Sequence, residues 1–342
     1  MIKASNFEGL IMEIKGFTRI INELPSLTDN QIRLIRDRAD SIIHKDSTAK
    51  LIDQCKSSDE VACPYCGSIK LNKWGMSAGL QRYRCKEQQC RKTFNALTKT
   101  PLARLRKRSL WSQYVECIAD SKTIRQSARE LGVAITTAFR LRHRFLASPT
   151  VNKVSEVSGI VEADEMFFLE SYKGKRTIHH REPRKRGGMG DKRKKEDQIA
   201  VLIVKDRSGG LTETMLGRPN KEKIGKALKP IINTDSILCS DGAHSYRSFA
   251  KENGLTHYRT IASKSQRVIG KQFHIQNVNN YMMRIRVWMQ RFYGVGTDYL
   301  PNYLGWMRLM ESVKNRDLSL ADFISDAFSF PHNQQKFEVV SC

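Results

Sequence analysis

Apolar positions fall into two regimes along this chain. Up to Pro149 they recur every three to four residues, as helices require; beyond it they gather into short runs of strand length. Phe7, Leu10, Ile11, Ile14, Phe17 and Ile20-Ile21 predict a first helix that Pro25 ends. Thr28, with Gln31 three residues on, predicts a capped second helix through Ile32, Leu34, Ile35, Ala39, Ile42 and Ile43. Residues 1–60 thus form a helical segment suited to packing or dimerisation, with no residues that carry chemistry. Residues 123–133 predict another helix with a turn at Gly132, and 134–140 a second one with Thr136-Thr137 at its start. Ala128, Leu131, Val133, Ala138 and Leu141 would form their shared seam.

After Pro149 the order becomes strand (Ile160 to Ala163, ending at Asp164), basic loop, strand (198–204) and strand (211–216). A helix (221–232), a strand (237–240, ending at Asp241), a helix (243–252), a strand near 256–261 and a long helix over 277–293 follow. Three strands in a run and then alternating elements describe a mixed α/β layer fold.

Cys63-Pro64-Tyr65-Cys66 and Cys85-Lys86-Glu87-Gln88-Gln89-Cys90 interrupt the first of these regimes. Two close pairs at this separation fit two turns that close a tetrahedral Zn²⁺ site, so 61–98 reads as a zinc ribbon with a strand at 81–84. The plainer alternative is four reduced thiols. Such ribbons present a surface to nucleic acid or protein more often than they do chemistry.

Charge narrows the partner. Lys plus Arg number 59 against 35 Asp plus Glu, a net charge of +24, which predicts a polyanion and first of all nucleic acid. The helix–turn–helix pattern at 108–147 would place Thr136, Thr137, Arg140 and Arg144 in a major groove; an ordinary helical pair is the alternative. Eleven Lys or Arg lie between Lys173 and Lys195, among them Arg184, Lys185, Arg186, Lys192, Arg193, Lys194 and Lys195. Such a run is either a solvated loop or a clamp for DNA. The longest clean apolar run, Ile199 to Val204, is far too short to span a membrane, and no signal layout opens the chain. An intracellular protein is expected, cytoplasmic and nucleoid-associated in a bacterial-type cell, where thiols stay reduced.

Asp164 and Asp241 follow strands that should be central. A buried acid is expensive unless paired or bound to metal, and two from separate strands can share hard divalent cations. Capping or turn roles are the other reading, and Asp241-Gly242 is a good turn dipeptide. Glu162 would share a face with Asp164, and Glu165 is a further acid. On the last helix, Asn279 and Arg286 lie seven residues apart on one side, flanking an apolar stripe of Tyr281, Ile285, Trp288 and Phe292; Asn279 could equally be a capping residue. His274 precedes that helix.

In this order the pieces resemble a known family. CPYC…RYRCK…CRKTFN, the helix–turn–helix, GIVEADEMFF, RKRGGMGDKR, VLIVKDRSG, CSDGAHSY and HIQNVNNYMMRIRVW with GVGTDYLPNYLGWMR are similar to insertion-sequence transposases of the DDE superfamily. The subgroup is the ISXO2-like one, with an N-terminal zinc ribbon and an integrase-like domain, and the resemblance runs from about residue 60 to about 312. It implies a ribonuclease-H-like catalytic domain at 155–312, with 313–342 as a tail. It implies Asp164 and Asp241 as catalytic acids and Mg²⁺ or Mn²⁺ ligands, Asn279 in the third position, and Arg286 where relatives typically carry lysine. The implied activity is cleavage at element ends and strand transfer into target DNA. The implied partners are terminal and target double-stranded DNA and a second copy of the chain, with no membrane. A non-catalytic DNA-binding regulator or an inactive relic is the competing expectation; zinc, helices and charge suit both, and the two strand-borne acids distinguish them.

Overall fold

The computed structural model describes residues 14–55, 61–179, 197–261, 267–314 and 318–329. Helices α1 (Ile14–Glu23) and α2 (Asp29–Cys55) are separated by a short turn at Leu24–Ser26 that holds Pro25. The Thr28 backbone N–H donates to Gln31 Oε1 at 2.9 Å, as the capping pattern anticipates. Phe7, Leu10 and Ile11 lie outside the described residues.

Three antiparallel strands follow in the order β1 (Leu71–Ser77), β2 (Leu80–Cys85), β3 (Thr93–Asn95). Ala78 and Gly79 make the first hairpin turn, both with positive φ, the twist a two-residue connection needs. Then come α3 (Trp111–Ala119), α4 (Ile124–Glu130), α5 (Ile135–Phe145) and α6 (Ala147–Val151). Thr123 and Gln126 form a reciprocal capping box on α4. Gly132, at φ +61, turns the chain into α5. Ala128, Leu131, Ala138 and Leu141 are buried between them, with Val133 packed beside them.

The larger sheet has five strands in the order β6-β5-β4-β7-β8: β4 (Ile160–Leu169), β5 (Gln198–Asp206), β6 (Leu211–Gly217), β7 (Ile237–Asp241) and β8 (Thr256–Thr260). β4, β5 and β6 form an antiparallel meander; β7 and β8 run parallel to β4. Helices α7 (Lys221–Leu228) and α8 (His244–Glu252) lie in the connections to β7 and β8, as parallel pairing requires. α7 stops before the expected residue 232 because Pro230 cannot continue it. β4 does not end at Asp164: its second half continues to Leu169, paired with β5 alone. Asp164 therefore sits in mid-strand, at the point where the ladder to β7 stops.

Alternation splits the sheet between two cores. Val161, Ala163, Ala200, Leu202, Val204 and Leu238 face α7 and α8. Met166, Val201, Ile203 and Leu211 face α9 (Gln276–Gln290) and α10 (Leu300–Ser312). This second core continues without a break into Trp111, Phe145 and Ile52 of the N-terminal helices. The stretch after 313, read from sequence as a tail, contains α11 (Leu320–Phe328), capped by Ser319 and Asp322 and buried through Leu320, Phe323, Ile324 and Ala327. Among the described residues no helix is long and apolar enough to cross a membrane.

Polar contacts fix how α5 meets α10. Arg142 is fully buried: it donates to Lys122 O (2.8 Å) and the Tyr114 hydroxyl (3.2 Å), and its guanidinium lies 4.4 Å from the Trp306 ring centre. His143 accepts a 2.8 Å hydrogen bond at Nδ1 from Asn302 and stacks near Tyr299. Burial and then the Arg142 charge push its pKa down to about 3, so the ring is neutral.

Gly305 brings α10 against α6. A Cβ there would stand 2.8 Å from Thr150 Cα and 2.9 Å from its nitrogen, and backbone cannot give way as a side-chain tip can. Gly305→Ala should cost about 1–3 kcal/mol in urea denaturation. Gly225→Ala, whose Cβ would meet only Phe249 at 3.8 Å, should be neutral or stabilising by up to about 1 kcal/mol.

Candidate functional site

Register brings the two expected aspartates together. Ala163 pairs with Ser240 across parallel β4 and β7, so Asp164 and Asp241 are the next neighbours in line, on strands about 4.8 Å apart. They share the face occupied by α9, because Glu162, Asp164 and Met166 alternate with Val161 and Ala163. Each aspartate is oriented by one backbone amide: Glu165 N donates to Asp164 Oδ1 at 2.8 Å and Ala243 N to Asp241 Oδ1 at 2.9 Å. Among the described residues neither Oδ2 accepts a hydrogen bond.

The environment resists charge. Burial, with the Asp241 charge adding to it, raises the Asp164 pKa to about 6, against the opposing pull of the Glu165 amide and Arg286. Burial likewise raises Glu165 to about 7; its odd position in β4 turns it toward α8, beside the buried Tyr246.

Glu162 sets the position of α9. The residue before this helix is Ile275, which has no capping side chain. The Glu162 carboxylate, only 1% exposed, does that work from β4. It accepts from Asn277 N (2.8 Å), Val278 N (3.0 Å) and the Asn277 side chain (2.9 Å), and pairs with Arg207 at 2.8 Å. His274 lies in the same network, 3.5 Å from Glu162 and 3.2 Å from Arg207. Asn279 therefore does not cap the helix. It is exposed one turn inside, with Arg286 two turns further on the same side. Tyr281 and Ile285 are buried as expected, and Trp288 is buried against Tyr303 and Trp306 of α10. Arg286 lies within electrostatic reach of Asp164.

Residues 156–311 match the model of the ISXO2-like transposase domain. This segment is similar to that family, and the match covers less than half of the chain. The chain is also 25% identical over 268 residues to an uncharacterized protein in transposable element ISH50 of Halobacterium salinarum, spanning 78% of this chain and 90% of that protein. Among solved structures it is similar to a pre-cleavage Mos1 transpososome at 12% identity, covering 64% of this chain and 79% of that one, TM-score 0.23. It is also similar to the Mos1 strand transfer complex at 13% identity, covering 64% and 78%, TM-score 0.23.

Ahead of that matched segment, Cys63, Cys66, Cys85 and Cys90 converge, their sulfurs all within 4.8 Å of one another. Cys63 and Cys90 are 3.7 Å apart and Cys66 and Cys85 3.5 Å. A tetrahedral site with Zn–S bonds of about 2.3 Å needs sulfurs about 3.8 Å apart, so the donor set fits. Backbone amides of Tyr65 and Cys66 reach Cys63, Ser68 reaches Cys66 and Glu87 reaches Cys85, the outer contacts that hold thiolates in place.

On α5, Thr136 and Arg140 are exposed and Thr137 half-buried, on a face turned to solvent. Arg144 departs from the expectation. Its Nε donates to Pro101 O and its Nη2 to Ala103 O at 2.5 Å. The side chain folds back onto the 101–103 segment, because those carbonyls lie under the last turn of α5. Of the basic loop, Lys173 donates to the carbonyls of Phe292, Tyr293 and Gly294 at the end of α9, and Lys175 pairs with Asp298 at 2.9 Å. Arg184, Lys185, Arg186, Lys192, Arg193, Lys194 and Lys195 lie outside the described residues.

Sequence alone places Glu162 on the face of Asp164 but does not show that it caps α9. The signal was a helix opening on Ile275 with no Ser, Thr, Asp or Asn to cap it.

The raised Asp164 pKa has a sign. Between about 4 and 6 the folded protein holds a proton that the unfolded chain has released, so stability falls as pH rises through that window. Below pH 4 both states are protonated and the effect vanishes. In metal-free buffer Asp164→Asn should melt with wild type at pH 4 and above it at pH 7. A constant difference across the range would refute the assigned environment.

Proposed function

We propose that this chain is a DNA transposase that cuts the ends of its insertion sequence and joins them to target DNA, using a ribonuclease-H-like catalytic domain. The observation that carries this reading is the side-by-side placement of Asp164 and Asp241 at the end of the β4–β7 ladder, beneath α9. Two half-buried acids on adjacent strands repel one another, and a fold that keeps both is best explained by a cation between them. Each is fixed through Oδ1 and keeps Oδ2 available, so the donor set suits Mg²⁺ or Mn²⁺. A divalent ion held by Asp164 and Asp241 would supply charge neutralisation at the reacting phosphate and a lowered pKa for attacking water.

The chain's own groups do the rest. Asn279 offers a neutral oxygen from the edge of α9, and Arg286 a planar cation suited to a phosphodiester. Water would attack phosphorus at the element end as the P–O3′ bond breaks, freeing a 3′-hydroxyl. That hydroxyl would then attack a target phosphodiester, displacing its 3′-oxygen, with one bond formed and one broken at each step. No covalent enzyme intermediate and no nucleotide cofactor are needed.

Recognition belongs to the N-terminal half in this reading. The four cysteines hold structural Zn²⁺ as a ribbon, and α4 and α5 act as a helix–turn–helix that presents Thr136, Thr137 and Arg140 to a major groove. The basic loop from Arg184 to Lys195 contacts phosphates beside the acids. The active form is a homodimer or larger assembly on paired ends, in the cytoplasm at the nucleoid.

The decisive experiment incubates the protein and Asp241→Ala with the element's terminal DNA and Mg²⁺ or Mn²⁺. Wild type should nick one defined terminus. The variant should lose at least about 100-fold in cleavage rate with binding nearly intact. Tight binding by wild type without any nick would instead support a DNA-binding regulator or relic. Cys66→Ser should lower bound zinc, measured by atomic absorption, from one per chain to none and weaken end binding; unchanged zinc would refute the ribbon.

A further inference from the structure

A cavity of about 590 Å³ lies between the three-stranded sheet and the foot of α5, away from the paired aspartates. Its wall carries Arg82, Lys99, Arg104, Arg108 and Arg144 beside Tyr65, and no carboxylate. Five cations around one hollow repel each other unless an anion enters. Burial lowers the Arg108 pKa, and burial with the Arg140 and Arg104 charges lowers that of Arg144.

Two further observations mark this cluster as unsatisfied and strained. Arg108 Nη2 donates to Ala78 O at 2.5 Å, but Nη1 is buried without a partner among the described residues. A buried guanidinium nitrogen left unpaired is costly and calls for an acceptor. The backbone around the cavity is also held in the left-handed region at four non-glycine positions: Ala78, Lys99, Arg104 and Lys107. That conformation is disfavoured wherever a Cβ is present and concentrates at ligand sites. Two of these positions, Lys99 and Arg104, are basic and line the hollow.

We propose that this cavity is a phosphate-binding site that grips the DNA backbone beside α5. It explains why Arg144 folds inward, where sequence alone places it in the groove. Arg144 joins the cavity wall, while Arg140, within electrostatic reach of it, continues the basic surface onto the exposed face of α5. A duplex read by Thr136 and Thr137 would thus have an adjoining phosphate seated among Arg82, Arg104 and Arg108. The proposal rests on the DNA-binding reading above and assigns the backbone contact to residues outside the helix pair.

The test measures duplex affinity of the full-length protein across a salt series, for wild type and Arg82→Ala/Arg104→Ala. Losing two phosphate contacts should reduce the slope of log K against log salt by about two and weaken terminal and unrelated duplexes alike. Lys99→Ala, at an exposed position, should reduce it by about one. Unchanged slopes in both variants would overturn the proposal while leaving the transposase reading intact. Wild type that bound no duplex at all would overturn both. Inorganic phosphate titrated into the same proteins separates the sources: if it raises the wild-type melting temperature, the variants abolish that rise, and the DNA slope stays unchanged, the site serves a small free anion and the backbone assignment fails.

Discussion

A buried carboxylate at the mouth of a helix is the contact on which the rest of the site depends. Glu162 is shut away inside β4, yet its charge is met by two backbone amides, an asparagine side chain and Arg207. The start of a helix carries about half a positive charge, and a carboxylate there is favourable. Because Ile275 cannot cap α9, the helix takes its starting point from the sheet. Asn279 and Arg286 are thereby indexed to Asp164, two residues along the same strand. Removing that carboxylate would leave two backbone amides and the Asn277 side chain without their acceptor, so the alignment is stiff as well as specific.

The acids further along β4 show the opposite behaviour. Asp164 and Glu165 are both held above the usual carboxylate range by burial. Nothing in the described protein neutralises the pair formed by Asp164 and Asp241 except the distant pull of Arg286. Glu162 is satisfied and stabilising; Asp164, two residues on, is left wanting a counter-charge. That contrast within one strand separates the group that builds the site from the groups that act in it.

Much of this was legible in the sequence, and the exceptions have physical causes. The cysteine pairs, the two helices joined at Gly132 and the run of strands depend on local chemistry, and the structure brings the sulfurs together and forms those helices and strands. The continuation of β4 past Asp164 was hidden because Met166, Phe167, Phe168 and Leu169 form an unbroken apolar run in sequence, although Phe167 and Leu169 turn to solvent. The inward fold of Arg144 was hidden because it depends on carbonyls about forty residues away in sequence. Helix α11 was hidden in a stretch read as a tail, although Ser319 and Asp322 spell a capping box. Glu162 was seen as an acid but not as a cap, since capping is usually local and here it crosses from sheet to helix.

The core joining α5 to α10 has a consequence for geometry. Arg142 lies against Trp306 and His143 against Tyr299 and Asn302, so no slack tether separates the helix that would read DNA from the strands that bear the acids. The two surfaces form one gauge block. For a duplex seated on α5, the number of base pairs between the sequence recognised and the bond presented to Asp164 would be set by the hardness of this packing, with little tolerance for an inserted or deleted pair.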